Sequence, residues 1–244
     1  MAHHRRFLFP PVSWTSPGGI IAIGGVPDPE TLKAAYGRGI FPWPHPGLPV
    51  LWFCPDPRCV LVPQQAHLSR SLRKQMRRGA FEIRADTAFR EVIRACAAKP
   101  RPGQDGTWIT DEMVAGYIAL HEEGLAHSVE AWQDGRLAGG VYGVSLGAVF
   151  FGESMFADVP NASKVAFATL LANLVRWRFA LVDCQSYTGH LASFGAVEWR
   201  RARFLAALKR ALRASTRTGR WSLELAPAEA AEALCREGDG GGPE

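Results

Sequence analysis

The stretch Val141-Tyr142-Gly143-Val144-Ser145-Leu146-Gly147-Ala148-Val149-Phe150-Phe151-Gly152-Glu153-Ser154-Met155-Phe156 decides how this chain is read. From Val141 to Phe151 it is apolar and glycine-rich, which predicts buried strand with one turn in it, near Leu146-Gly147. It then runs into a carboxylate. Desolvating a carboxylate is costly unless it is paired, hydrogen-bonded or protonated. Glu153 therefore has either a fixed internal partner or a charged ligand to meet.

Working outward, strands are predicted at about 127–132, 137–144 and 148–152, with a turn at Asp134-Gly135. A shorter one follows at 181–185 and an earlier one at 81–84. Helices are predicted over 67–78, 87–98, 111–124, 161–179 and 200–217. Met113, Val114, Tyr117 and Leu120 face inward on the third of these. Strands in succession, bracketed by helices, give an α+β class with a mostly antiparallel sheet. Ahead of them, residues 1–63 are dense in proline, glycine and tryptophan and hold one helix, over 28–39. The expected organisation is a small turn-rich domain over 1–63, a larger catalytic domain over 64–235 and a disordered tail over 236–244.

Length and composition set bounds. With 244 residues, 47% of them hydrophobic, the chain can bury a sizeable core, and nothing in it reads as fibrous or disordered overall. Five cysteines, an odd count, and the opening MAHHRRFLFPP without a signal-peptide core lead us to expect reduced thiols in a cytoplasmic protein with no membrane partner. Cys54 and Cys59 have no second pair to complete a structural zinc site. No Walker loop, dinucleotide fingerprint or metal-ligand cluster is present, so the expected reaction uses an already activated substrate with no metal or cofactor.

The chemistry-bearing residues are few. Leu181-Val182-Asp183-Cys184-Gln185 places a second acid in an apolar strand, with Asp183 and Gln185 on one face by alternation. Either these acids are satisfied internally, by backbone amides or by Lys164, Arg176 or Arg178, or they serve a site. Ser154, His190 and Asp183 could be drawn as a triad, but no Gly-x-Ser-x-Gly elbow supports it. Trp43, Trp52, Phe53 and Trp108 lie in or beside loops, either as core or as cleft walls on which a base could stack. Arg70, Arg73, Lys74, Arg77 and Arg78 fall at helical spacing with no acid between them. Such a stripe is a solvated face or a phosphate-binding one.

Taken together, these segments resemble the leucyl/phenylalanyl-tRNA–protein transferases. The resemblance is carried in order by Ala22-Ile23-Gly24-Gly25, Ala35-Tyr36-Gly37-Arg38-Gly39-Ile40-Phe41-Pro42-Trp43, Leu51-Trp52-Phe53-Cys54-Pro55-Asp56-Pro57-Arg58 and Ser69-Arg70-Ser71-Leu72-Arg73-Lys74. It continues through Thr107-Trp108-Ile109, Ala126-His127-Ser128-Val129-Glu130, the Phe151–Phe156 stretch, Asn161-Ala162-Ser163-Lys164, Asp183-Cys184-Gln185 and His190-Leu191-Ala192-Ser193-Phe194-Gly195-Ala196. Departures are Phe53-Cys54 and Phe194, where Trp-Ser and Leu are expected.

The resemblance implies a larger domain of N-acetyltransferase-like (GNAT-like) fold. It also implies an aminoacyltransferase that moves Leu or Phe, Met less well, from aminoacyl-tRNA to acceptor proteins with N-terminal Arg or Lys, marking them for degradation. Glu153, Asp183 and Gln185 are then the expected catalytic set. Glu153 would meet the cationic acceptor, and Asp183 would polarise Gln185 if that amide moves a proton; equally, Gln185 would only orient the amine. Phe151, Met155 and Leu170 would line the aminoacyl pocket. Trp43 and Trp108 would flank the terminal adenosine and aminoacyl group, and Tyr117 joins the substrate-binding set. The stripe Arg70, Arg73, Lys74, Arg77 and Arg78 would hold the acceptor stem by its phosphates. Two other readings stay open. One is an acyl-CoA-dependent N-acetyltransferase, although Leu137-Ala138-Gly139-Gly140 lacks the pyrophosphate-loop pattern. The other is a tRNA-binding module without catalysis.

Overall fold

The structure is a computed structural model that describes residues 7–45, 47–99 and 109–238. The N-terminal part begins with strand β1 (Ile20–Ile23) and helix α1 (Pro29–Tyr36). Asp28 caps α1 by accepting from the Thr31 amide at 2.8 Å, and Pro29 supplies a first helical position that needs no N–H. Strands β2 (Phe41–Pro42) and β3 (Leu51–Phe53) complete a small antiparallel sheet in the order β1-β3-β2.

The remaining strands form one seven-stranded sheet. They are β4 (Arg58–Leu61), β5 (Glu82–Ala85), β6 (Ala126–Gln133), β7 (Arg136–Leu146), β8 (Val149–Ala157), β9 (Leu181–Gln185) and β10 (Val197–Trp199), in the order β10-β4-β9-β8-β7-β6-β5. All neighbours are antiparallel except β8 and β9, which are parallel. The α+β reading with a mostly antiparallel sheet is what forms. The boundary expected at residue 63 is moved, because β4 hydrogen-bonds to β9 and β10 and so belongs to the larger sheet.

Helices cover both faces. On one side pack α2 (Arg70–Arg77), α5 (Ala162–Arg176) and α8 (Pro227–Gly238). On the other lie α3 (Phe89–Ala98), α4 (Asp111–Glu122) and α7 (Arg201–Ala211), together with α1 and the small sheet. Between β9 and β10 runs the short helix α6 (Gly189–Ala192). The tail expected from 236 is helical as far as Gly238, the end of α8; residues 239–244 lie outside the described residues. Among the described residues, no helix is long and apolar enough to cross a membrane.

Two local features set up the site. Gly116 on α4 faces the N-terminal segment so closely that a Cβ would stand 1.9 Å from the Pro27 carbonyl oxygen. Only glycine lets α4 approach there, and the next residue, Tyr117, is thereby brought against Tyr36 of α1. The second feature is in β8. Tyr142 pairs with Ser154 and Gly143 with Gly152, so Glu153 is an extra residue, a bulge in the strand. The strand predicted to stop at 152 runs on to Ala157 through that bulge.

Candidate active site

The bulge aims Glu153 into a nest of three donors. Its Oε1 accepts from the Tyr36 hydroxyl at 2.7 Å and from Gln185 Nε2 at 2.8 Å, and its Oε2 accepts from the Tyr117 hydroxyl at 2.6 Å. The residue is only 8% exposed. Burial lifts its carboxyl from about 4.5 to about 7; the hydroxyl donors work against that rise, and the negative Asp183 adds to it. Burial, then the Glu153 charge, hold both tyrosines well above their ordinary range, so they stay protonated as donors.

Asp183 is fully buried and faces Arg58. The guanidinium grips it with a fork: Nε to Oδ1 at 2.7 Å and Nη2 to Oδ2 at 2.6 Å. Arg58 lies over the Phe41 and Phe204 rings, 4.6 Å from each centroid. Asp183 Oδ1 also accepts from the Gln185 backbone amide at 3.0 Å. That bond fixes Gln185 with φ at 60°, outside ordinary strand geometry, and swings its side chain toward Glu153.

β8 and β9 pair only at Val149 with Leu181, Phe150 with Val182 and Phe151 with Asp183. Beyond those pairs a cavity of about 430 Å³ opens. Gly152, Glu153, Ser154 and Met155 line one wall, and Val182, Cys184, Gln185 and Ser186 another. Phe41, Pro42 and Trp43 come from the small sheet, and His190 and Leu191 from α6. The result is a mostly apolar pocket with the buried Glu153 carboxyl and the Gln185 amide at one end. It suits an apolar group bearing a polar reacting centre.

Residues 60–209 match the family model of leucyl/phenylalanyl-tRNA protein transferase, and residues 25–56 match that of its N-terminal domain. The chain belongs to this family. A leucyl/phenylalanyl-tRNA–protein transferase of Myxococcus xanthus (strain DK1622) is 59% identical over 215 residues, covering 88% of this chain and 92% of that one. One from Anaeromyxobacter sp. (strain Fw109-5) is 54% identical over 220 residues, 90% of this chain and 94% of that one. A third, from Nitratidesulfovibrio vulgaris (strain DP4), is 56% identical over 216 residues, 88% and 92% of the two chains.

For a chain of the transferase family, the expected site residues fall into groups. Glu153 and Gln185 are brought together at the cavity, with Trp43 and Met155 in its walls. Tyr117 stands behind Glu153 as its donor and does not line the cavity. Phe151 and Leu170 do not line it either. Phe151 turns to the opposite face against Tyr36, ring centroids 4.9 Å apart, and Leu170 is in the core under α5, where Phe167 reaches the cavity instead.

The expected polarisation of the Gln185 amide by Asp183 is not what forms. Asp183 meets only the backbone N–H of Gln185, while its charge is matched by Arg58 rather than by Lys164, Arg176 or Arg178. Nor does a triad form around Asp183, which is committed to Arg58, while His190 Nε2 lies 3.1 Å from Met155 Sδ. Trp52 is fully buried core and Phe53 packs against Trp43, so the loop aromatics divide between core and cleft. Trp108 lies outside the described residues. Arg70, Lys74, Arg77 and Arg78 are exposed on and just beyond α2, but Arg73 is half-buried, its Nη1 2.8 Å from Cys235 Sγ on α8.

Sequence reasoning missed Tyr36 and Arg58 as members of the site. Both stand in segments that carried the resemblance. The available signal was charge balance: Asp183 needed a cation, and Arg58 is the one that the β4–β9 pairing places beside it.

Proposed function

We propose that this protein transfers leucine or phenylalanine, methionine less well, from aminoacyl-tRNA to the α-amine of proteins beginning with Arg or Lys, marking them for degradation. The observation that carries this is the polar end of an apolar cavity. There, a carboxyl that titrates near neutral pH and the Gln185 amide stand beside room for a Leu or Phe side chain. The acceptor nitrogen attacks the ester carbonyl carbon, the C–O bond to the ribose breaks, and a proton passes from the amine to the departing ribose hydroxyl. The ester is already activated, so the protein's work is to orient the amine and manage that proton. A group poised near pH 7 is suited to receive it, which gives Glu153 the base's role. Gln185 donates to Glu153 and turns the carbonyl end of its amide away from it, where it can orient the amine.

The N-acetyltransferase-like assignment of the larger domain is supported by the parallel pair β8–β9, which parts at the cavity. Against an acyl-CoA donor, Leu137 to Gly140 form no pyrophosphate loop but lie within β7, where Gly139 and Gly140 are paired with both β6 and β8. A mixture of radiolabelled Leu-tRNA with a peptide starting with Arg, beside one starting with Ala, tests the whole reading. Label should pass to the Arg peptide alone. Equal labelling of both, or of neither, would sink it.

The α2 face is the proposed acceptor-stem contact. Each phosphate contact contributes about 0.9 to the slope of log affinity against log salt in a duplex. Removing two exposed cations together, Arg70→Gln with Arg77→Gln, should make the slope for tRNA binding shallower by about 2. Arg73→Gln should change it less, because Arg73 is turned toward α8. A salt series of filter-binding curves reads both, and an unchanged slope in the double variant removes the tRNA from this face.

A further inference from the structure

Three segments that the reaction cavity leaves unused converge elsewhere. The starts of α2 and α5 and the residues just after α6 enclose a second cavity, of about 160 Å³. Ser69, Ser71, Asn161, Lys164 and Ser193 line it, against Leu72 and Phe194, and among the described residues no carboxylate does. Some of its groups are already engaged. Ser69 Oγ accepts from the Leu72 amide at 3.2 Å and lies 3.0 Å from Ser71 Oγ, and Ser193 Oγ donates to the His190 carbonyl at 2.6 Å. Asn161, at the head of α5, makes no capping bond with its side chain.

Lys164 is the informative residue. It is half-buried, and no carboxylate among the described residues pairs with it. A partly desolvated ammonium without a counter-charge marks an incomplete ion pair. Its field also reaches the reaction cavity: the His190 imidazole, which lines that cavity, is held below its ordinary value by burial first and by Lys164 second. The small cavity adjoins the start of α2, which carries the cations, and Ser193-Phe194, which follow directly on the α6 residues that line the site of transfer. A single strand running from one to the other carries a phosphate past this point, and phosphate oxygens are what an ammonium beside hydroxyl and amide groups receives best.

We infer that this cavity seats the phosphate on the 5′ side of the tRNA's terminal adenosine, held by Lys164. The inference rests on the transferase reading and adds to it a binding site for the donor's backbone. Two short donors separate it from that reading: 3′-O-leucyl-adenosine, and the same molecule carrying a 5′-phosphate. With an Arg-starting peptide as acceptor, the wild-type protein should prefer the phosphorylated donor by roughly tenfold or more in kcat/KM, through KM. Lys164→Ala should bring that preference close to unity, and Lys164→Arg should keep most of it. Equal use of the two donors by the wild type, or a preference that survives Lys164→Ala, would overturn the site. Failure of the wild type to use leucyl-tRNA at all would overturn the transferase reading instead.

Discussion

Replacing Glu153 by glutamine is expected to lower the rate of leucine transfer by about 10²–10⁴ while making the protein more stable above pH 7. Both effects follow from one carboxyl. Burial raises it from about 4.5 to about 7, so between those values the folded protein holds a proton that the unfolded chain has released. Stability therefore falls as pH rises through that window. By pH 8 the loss is about 3 kcal/mol, at about 1.4 kcal/mol for each unit of raised pKa. Glutamine is neutral at every pH and can still accept from Gln185 and Tyr36, so it mimics the protonated acid. Melting curves of parent and variant should coincide near pH 5 and separate by pH 8, with the variant higher. Transfer should behave in the opposite sense. If Glu153 receives the amine's proton, the parent shows a rising limb near pH 7 that the variant lacks, and kcat carries the loss. The limb of the acceptor amine, near 8, remains in both. Were Glu153 instead the counter-charge for the acceptor's Arg or Lys side chain, the loss would appear in KM. Three internal donors already occupy its oxygens, which favours the first outcome. A variant that transfers at the parental rate would remove Glu153 from the chemistry.

The sequence flagged Glu153 because an acid in an apolar run contradicts its surroundings, and the same reasoning flagged Asp183. The strands and most helices were legible from apolar runs and from caps such as Asp28 and Ser69. What could not be read was whatever depends on pairing. A bulge is a count of residues between two strands, so nothing in β8 alone announces one. Simple alternation puts Phe151 and Met155 on one face; the bulge separates them, sending Phe151 to Tyr36 and Met155 to the cavity. Tyr36 and Tyr117 stand 81 positions apart and meet only because Gly116 lets α4 come close. Helix α8 is a different kind of miss. Pro227 at its start and the alanines and glutamates after it are an ordinary helix signal, obscured by the glycines that follow.

Arg58→Met should destabilise the protein by about 3–5 kcal/mol, the cost of leaving one charge of a buried pair without its partner. Asp183 has no exposure with which to recover solvent, and its two oxygens would lose both ends of the guanidinium fork. Arg58→Lys should rescue little, because a single ammonium cannot span both oxygens or lie flat between Phe41 and Phe204. The second substitution decides what Asp183 is for. Arg58→Met combined with Asp183→Leu removes both charges and fills the space with apolar groups, so a urea midpoint close to the parent's is expected. Activity should not return with it. Without Asp183 Oδ1, the Gln185 amide loses its acceptor, and a non-glycine residue at a φ of 60° is left with its pairing to Cys59 and its side-chain bond to Glu153 as its remaining restraints. That backbone conformation costs about 1–3 kcal/mol, and its release would move the Gln185 side chain away from Glu153, a loss of roughly tenfold or more in transfer. Asp183 would then act as a positioning residue, reaching the reaction through the backbone of Gln185. A double variant that is both stable and fully active would show that the pair serves the fold alone. A double variant as unstable as Arg58→Met would show that the cost lies in lost packing around the guanidinium rather than in an abandoned charge.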